Sequence, residues 1–151
     1  MSLLLLVSCA TIHKSSEKNL FIEGRFSLTI YSENKKSIQG RFFWSFLNFK
    51  ELFILKDPWN KSQNKISREF SNGKYSDWFF FNNKNQLVSK NTIERELKGK
   101  LNTKFSIEEY VKMMNEISVF LKNYNTRNSY KKKLRVTSES KNIKLILLID
   151  K

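Results

Sequence analysis

Residues 37–46, SIQGRFFWSF, decide the fold of this chain. Large apolar side chains recur at alternate positions of the stretch, at Ile38, Phe42, Trp44 and Phe46, with Gly40 among them. The intervening positions are polar or charged except for Phe43. A period of two predicts a β-strand with one apolar face.

The residues just before this strand follow the same pattern. In FSLTIY, residues 26–31, the apolar side chains of Phe26, Leu28 and Ile30 alternate with Ser27, Thr29 and Tyr31. Between the two runs, SENKK at 32–36 consists of residues that are common in turns. The two runs therefore predict an antiparallel hairpin.

Further strands are predicted on both sides of the chain's centre. They cover KELFILK, NKISREF, KYSDWFFF and QLVS, and, near the C-terminus, KKLRVTS and NIKLILLID. Asn72-Gly73 lies between two of these runs and is the strongest short hairpin signal in the chain.

Two helices are predicted between the strands. For the first, Asn91 is the expected N-cap and Gly99 the expected stop. For the second, Ser106 and Glu109 form a capping box. The second helix carries an apolar stripe, which favours core packing over a ligand site: Ile107, Tyr110, Val111, Met114, Ile117, Leu121 and Tyr124.

The order of elements predicts one mainly β, α+β domain with five or six antiparallel strands, two helices and two closing strands. Thirteen Phe and three Trp residues are many for 151 residues. A sheet that curls incompletely around the helices would leave an apolar groove, and such grooves bind acyl chains.

The composition limits the chemistry of the protein. The net charge of +14 favours anionic partners, although a biased genome would produce the same excess of lysine. Four scattered glycines form no phosphate loop, and one histidine with one cysteine forms no two-histidine metal site or Cys/His pair. We therefore expect no enzyme activity, catalytic residue, metal or cofactor.

The first nine residues, MSLLLLVSC, contain an apolar run from Leu3 to Val7. This run is too short to span a bilayer. Leu6-Val7-Ser8-Cys9 resembles the lipobox of bacterial lipoprotein signal peptides, which implies cleavage before Cys9 and acylation of that cysteine. Residues 1–8 are then a short or truncated signal peptide, and residues 9–19 a lipidated tether. The residue after the cysteine, Ala10, is not Asp, and in this respect the chain resembles lipoproteins that are sent to the outer membrane. The alternative is a frayed apolar terminus with an incidental cysteine.

One more segment is unusual. LKDPWNKS, residues 55–62, places Trp59 beside the only proline, Pro58, among polar residues. Trp59 either folds back into the core or is held out to touch an apolar partner.

Three stretches together resemble the outer-membrane lipoprotein receptor LolB family. GRFSLTIY is similar to its first strand, GRFFWSFLNFKELFILKDPWNKS to its next hairpin, and RVTSESKNIKLILLIDK to its closing hairpin. The resemblance covers most of residues 20–151, which we predict to be the folded domain. A further hairpin, which the family carries after its long helix, is not evident in NYNTRNSYKKK.

The resemblance implies a half-open antiparallel β-barrel with helices covering a hydrophobic cavity. Its implied task is to accept acylated lipoproteins from a LolA-like periplasmic carrier and to insert them into the outer membrane. Pro58 and Trp59 match the family's membrane-insertion loop. Phe42 and Trp44 match the family's second-strand aromatic motif, and alternation places Trp44 on the same face as Phe26, Leu28, Ile30 and Phe46. The resemblance implies that these six residues line the acyl-chain cavity, and ordinary core packing is the equal alternative.

The expected protein is a monomer, anchored on the periplasmic side of the outer membrane in contact with its phospholipids, with no nucleic acid as partner. Two other functions stay open. The first is an outer-membrane lipoprotein that binds lipid or protein without inserting anything. The second is a basic nucleic-acid-binding module with aromatic stacking platforms, which export by a lipobox would argue against.

Overall fold

The structure, a computed structural model, describes residues 19–31, 35–57, 63–101, 106–127 and 134–149. Within these ranges the chain forms seven strands, two helices and two closing strands. The strands are β1 Leu20–Ile30, β2 Lys36–Leu47, β3 Lys50–Lys56, β4 Gln63–Ser71, β5 Lys74–Tyr75, β6 Phe79–Phe81, β7 Leu87–Val88, β8 Leu134–Glu139 and β9 Ile143–Ile149. The helices are α1 Lys90–Leu101 and α2 Ile107–Arg127. The predicted mainly β, α+β class is confirmed.

All described strand pairs are antiparallel, in the order β7-β6-β4-β3-β2-β1-β9-β8, with β5 attached to β4. The predicted first hairpin is β1 with β2, which pair over the full length of β1. The sheet is open: β7 and β8 lie at its two ends and do not pair, so the strands do not close into a barrel.

Two tight turns connect strands at the same end of the sheet. Asn72 and Gly73 both have positive φ, 52° and 76°, as the predicted hairpin requires. The β2–β3 turn has the same form, with φ of 48° at Asn48 and 60° at Phe49. A bulky residue in the left-handed region is strained, and the ring of Phe49 stacks on Phe70 at 6.3 Å.

The start of α1 differs from the prediction. Ser89, not Asn91, is the N-cap: its Oγ accepts a hydrogen bond from the backbone N–H of Thr92 at 3.2 Å. Gly99 does not end the helix, which continues to Leu101. The cap of α2 is at Ser106 as predicted, and its Oγ accepts from the Glu109 N–H at 3.4 Å.

One face of the sheet, which we call the inner face, packs against the helices. It carries the even-numbered residues of β1 and β2 and their cross-strand partners, and both helices contribute buried side chains to the same core. The stripe on α2 is core, as predicted: five of its seven residues are buried and Val111 and Tyr124 are partly so. The opposite surface is the outer face.

Candidate functional site on the inner face

The six side chains predicted to line an acyl-chain cavity share the inner face. Register explains this, because Trp44 lies opposite both Ile22 and Phe53, and Phe42 lies opposite Leu55. Five of the six are buried, and Phe46 is half-buried near the β2–β3 turn. Sequence alternation therefore predicted correctly that these residues share one face of the sheet.

Three of these side chains are completely enclosed. Ile30, Phe42 and Trp44 are 0% exposed, so no water-sized space lies beside them. Phe42 stacks on Phe53 with ring centroids 6.0 Å apart. An acyl chain could contact this part of the inner face only after the side chains packed on it move away.

A buried ionic cluster at one end of the inner face was missed by the sequence analysis. Glu51, on β3, is 0% exposed. Its Oε2 accepts hydrogen bonds from Arg68 Nε at 2.8 Å and from Lys122 Nζ at 3.1 Å. Arg68 lies directly opposite Glu51 on β4, whereas Lys122 comes from α2. The cluster thus joins the sheet to the helix.

Neutral groups complete the hydrogen bonding around the cluster. Trp44 Nε1 donates to Glu51 Oε1 at 2.7 Å. Arg68 donates to Asn115 Oδ1 at 2.9 Å and to Ser118 Oγ at 2.8 Å, both on α2. A buried guanidinium with satisfied donors is far less costly than an unpaired one.

Two aromatic rings lie against the Arg68 guanidinium. Its centre lies 3.9 Å from the ring centroid of Tyr75 and 4.3 Å from that of Trp78. Trp78 Nε1 also donates to Asn115 Oδ1 at 2.8 Å. Lys122 lies 5.0 Å above the Phe46 ring and hydrogen-bonds the Tyr75 hydroxyl. The predicted cavity residue Phe46 therefore contacts a cation.

The electrostatics of the cluster favour the ionised form of Glu51. Burial by itself raises the pKa of this carboxyl, but hydrogen bonds with Ser118, Trp44 and Arg68 and the charge of Lys122 outweigh it and hold the pKa below the ordinary value of 4.5. With one carboxylate and two cations, the cluster has a net charge of +1.

Two sequence signals pointed to this cluster. Alternation in KELFILK places Glu51 on the face of Phe53 and Leu55, and alternation in NKISREF places Arg68 on the face of Ile66. A charge at an apolar position of each neighbouring strand indicates a buried pair. The contribution of Lys122 depends on how α2 docks, which neither pattern specifies.

Other predicted site residues lie outside the described residues. These are the acylation site Cys9 and the insertion-loop residues Pro58 and Trp59. The structure shows where the chain enters that loop: β3 ends at Lys56, and β4 resumes at Gln63.

Within the described ranges, neither helix is long and apolar enough to cross a bilayer, and no three His, Cys, Asp or Glu side chains form a group that could hold a metal ion. Comparison with known proteins found no matching family model, no matching curated protein and no matching solved structure.

Proposed function

We propose that this protein is an outer-membrane-anchored lipoprotein receptor, which accepts acylated lipoproteins from a periplasmic carrier and inserts them into the outer membrane without enzymatic chemistry. The observation that carries the proposal is the inner face: a large apolar surface on an open antiparallel sheet, with the ionic cluster at one end, covered mainly by a single long helix. An acyl chain is recognised by apolar area alone, and transfer between apolar surfaces needs no covalent step.

In this proposal the open sheet and its helices act as a half-open barrel, and the cavity forms when α2 moves. The ionic cluster of Glu51, Arg68 and Lys122 restrains that movement from the middle of the helix into its C-terminal half. The acyl chains of the cargo then leave the apolar surface of the carrier and contact six side chains of the inner face. These are Phe26, Leu28, Ile30, Phe42, Trp44 and Phe46.

The geometry of the sheet is compatible with an anchor at Cys9 and an insertion loop at Trp59 on the same bilayer. The N-terminus of β1 lies at the level of Phe46, and the β3–β4 loop begins at the level of Arg41, five residues or about 17 Å along β2. Residues 9–19 can reach roughly 36 Å when extended. The tether is therefore long enough to let the loop reach the membrane that holds the anchor.

The lipid anchor is tested by metabolic labelling with a fatty acid in an exporting bacterium. We expect label on the wild-type protein and none on Cys9→Ala. Label on neither protein would remove the membrane anchor from the proposal.

The insertion loop is tested by Trp59→Glu, because a carboxylate is costly to bury in lipid. We expect the variant to take up a lipoprotein from a loaded carrier but not to release it into vesicles. Asn91→Glu, which places the same charge on the exposed start of α1, is the matched control and should insert normally. Native insertion by Trp59→Glu would exclude Trp59 as the membrane-contacting residue.

A second candidate is an outer-membrane lipoprotein on the same scaffold that binds lipid or protein without insertion. The complete enclosure of Ile30, Phe42 and Trp44 favours it, since a rigid core has no room for cargo. The two candidates differ in the transfer assay: the binder leaves the lipoprotein on its carrier.

A further inference from the structure

The outer face of the sheet carries four cations at the same level of neighbouring strands. Cross-strand pairing places Lys56 opposite Arg41, and Arg41 opposite Arg25. The same level continues across β9 at Leu148 to Arg135 on β8. We call these four residues, Lys56, Arg41, Arg25 and Arg135, the basic row.

The basic row has an electrostatic cost. Like charges directly opposite on neighbouring strands are destabilising, and Lys56 opposite Arg41 is such a pair. The ion pairs between described carboxylates and cations include none for Arg41, Lys56 or Arg135. An anionic partner would remove this repulsion.

A depression of about 410 Å³ lies on the row between β1, β2 and β9. Arg25 and Arg41 line it together with the hydroxyl of Ser27 and the amide of Gln39. Ile146 and Leu148 form its apolar wall. Paired guanidinium groups with neutral donors recognise a phosphate, and the aliphatic wall suits the hydrocarbon next to it.

Apolar side chains border the row on the outer face, on the side toward the β2–β3 turn. Phe21 is 61% exposed, and Phe79 is also exposed. Leu148, in the row itself between Arg25 and Arg135, is exposed as well. The amino groups of Lys56 and Lys65 lie over the rings of Phe43 and Phe81, at 5.1 Å and 4.9 Å from the ring centroids. Aromatic rings beside cations are typical of surfaces that sit at the boundary between lipid headgroups and acyl chains.

We propose that the outer face is a docking surface for an anionic phospholipid bilayer, with the depression at Arg25 and Arg41 binding a phospholipid headgroup. The basic row spans four interstrand spacings, about 19 Å. A lipid surface presents many phosphates over such a distance, whereas one acidic peptide would have to match the row. This proposal does not depend on lipoprotein transfer.

The bilayer proposal is tested with the full chain carrying Cys9→Ala, so that no acyl anchor contributes. Binding is measured by flotation with neutral phosphatidylcholine vesicles and with vesicles that contain phosphatidylglycerol. We expect binding to the anionic vesicles only, weakened by salt. Arg41→Gln with Arg135→Gln should reduce it at least tenfold, since each cation near an anionic surface contributes about 1 kcal/mol.

The matched control is Lys90→Gln with Lys112→Gln, which removes the same charge from exposed helix positions. It should change binding less than twofold. Equal loss in both double variants would overturn the site and leave a nonspecific charge effect. Binding to an acidic peptide but not to anionic vesicles would overturn the lipid assignment.

A second variant tests the depression itself. Gln39→Glu keeps the size of the side chain and places a carboxylate beside Arg25 and Arg41. We expect an unchanged circular dichroism spectrum and a loss of anionic-vesicle binding of at least fivefold. Wild-type binding by the folded Gln39→Glu protein would contradict the headgroup site.

Discussion

The two faces of the sheet differ in how their charged side chains are paired. On the inner face, Glu51 lies opposite Arg68, and the buried charges are paired within hydrogen-bond distance. On the outer face, Arg41 lies between Arg25 and Lys56, so like charges face each other. The sheet geometry is the same on both faces; only the choice of side chains differs.

This difference separates stability from recognition. Paired charges on the inner face join α2 to the sheet, and their loss should lower the stability of the fold. Opposed cations on the outer face do not stabilise the fold, so their loss should weaken binding without lowering the free energy of unfolding. The predictions that follow change one face at a time.

The largest effect is expected at the centre of the ionic cluster. Glu51→Gln leaves the buried Arg68 without its carboxylate and should lower the free energy of unfolding by about 3–5 kcal/mol. The control is Glu69→Gln, an exposed carboxylate on the outer face of β4, for which we expect less than about 0.5 kcal/mol. Urea unfolding measures both, and similar values would show that the cluster does not stabilise the fold.

Two adjacent leucines on β9 compare the faces directly. Leu147 is 0% exposed on the inner face, whereas Leu148 is 38% exposed on the outer face. Leu147→Ala creates a cavity and should cost about 2–5 kcal/mol, but Leu148→Ala should cost less than about 1 kcal/mol. Equal losses would mean that something covers the outer face in the folded monomer.

The third prediction concerns pH. The pKa of Glu51 is lower in the folded protein than its ordinary 4.5, so its stabilising contribution is complete above that pH and is lost as the pH falls through the lowered value. The stability difference between wild type and Glu51→Gln should therefore narrow below pH 4.5. A difference that stays constant in acid would show that Glu51 is not held ionised by its neighbours.

The smallest effect is expected on the outer face. Arg41→Gln removes the cation between two others and should raise the free energy of unfolding by about 0.5 kcal/mol at low salt. Added salt should abolish the gain because it screens exposed charges. A loss of stability at low salt would show that Arg41 has a folding role.

Period-two alternation predicted the inner face well because one side of each strand must face the core. The α2 stripe was predicted for the same reason at a period of 3.6. The predicted N-cap of α1 was wrong. Asn91 and Ser89 are both good capping residues, and Ser89 is the cap because it directly follows the end of β7 at Val88. Closure of the sheet depends on how the edge strands β7 and β8 lie, which alternation does not encode.

The ionic cluster and the basic row could not be predicted without knowing the register between the strands. Glu51 and Arg68 are seventeen residues apart in sequence, and their pairing depends on how β3 aligns with β4. The row extends over five strands, β3, β2, β1, β9 and β8, so it becomes visible only after all four pairings are known. Composition gave the +14 charge but not its placement.

The central claim is transfer of acylated cargo, and a reconstituted transfer assay tests it most directly. A periplasmic carrier loaded with a labelled lipoprotein is mixed with the acylated protein in outer-membrane lipid vesicles. The proposed function predicts that cargo moves to the vesicles with wild type and stays bound to the protein with Trp59→Glu. Cargo that remains on the carrier in the presence of wild-type protein would contradict it.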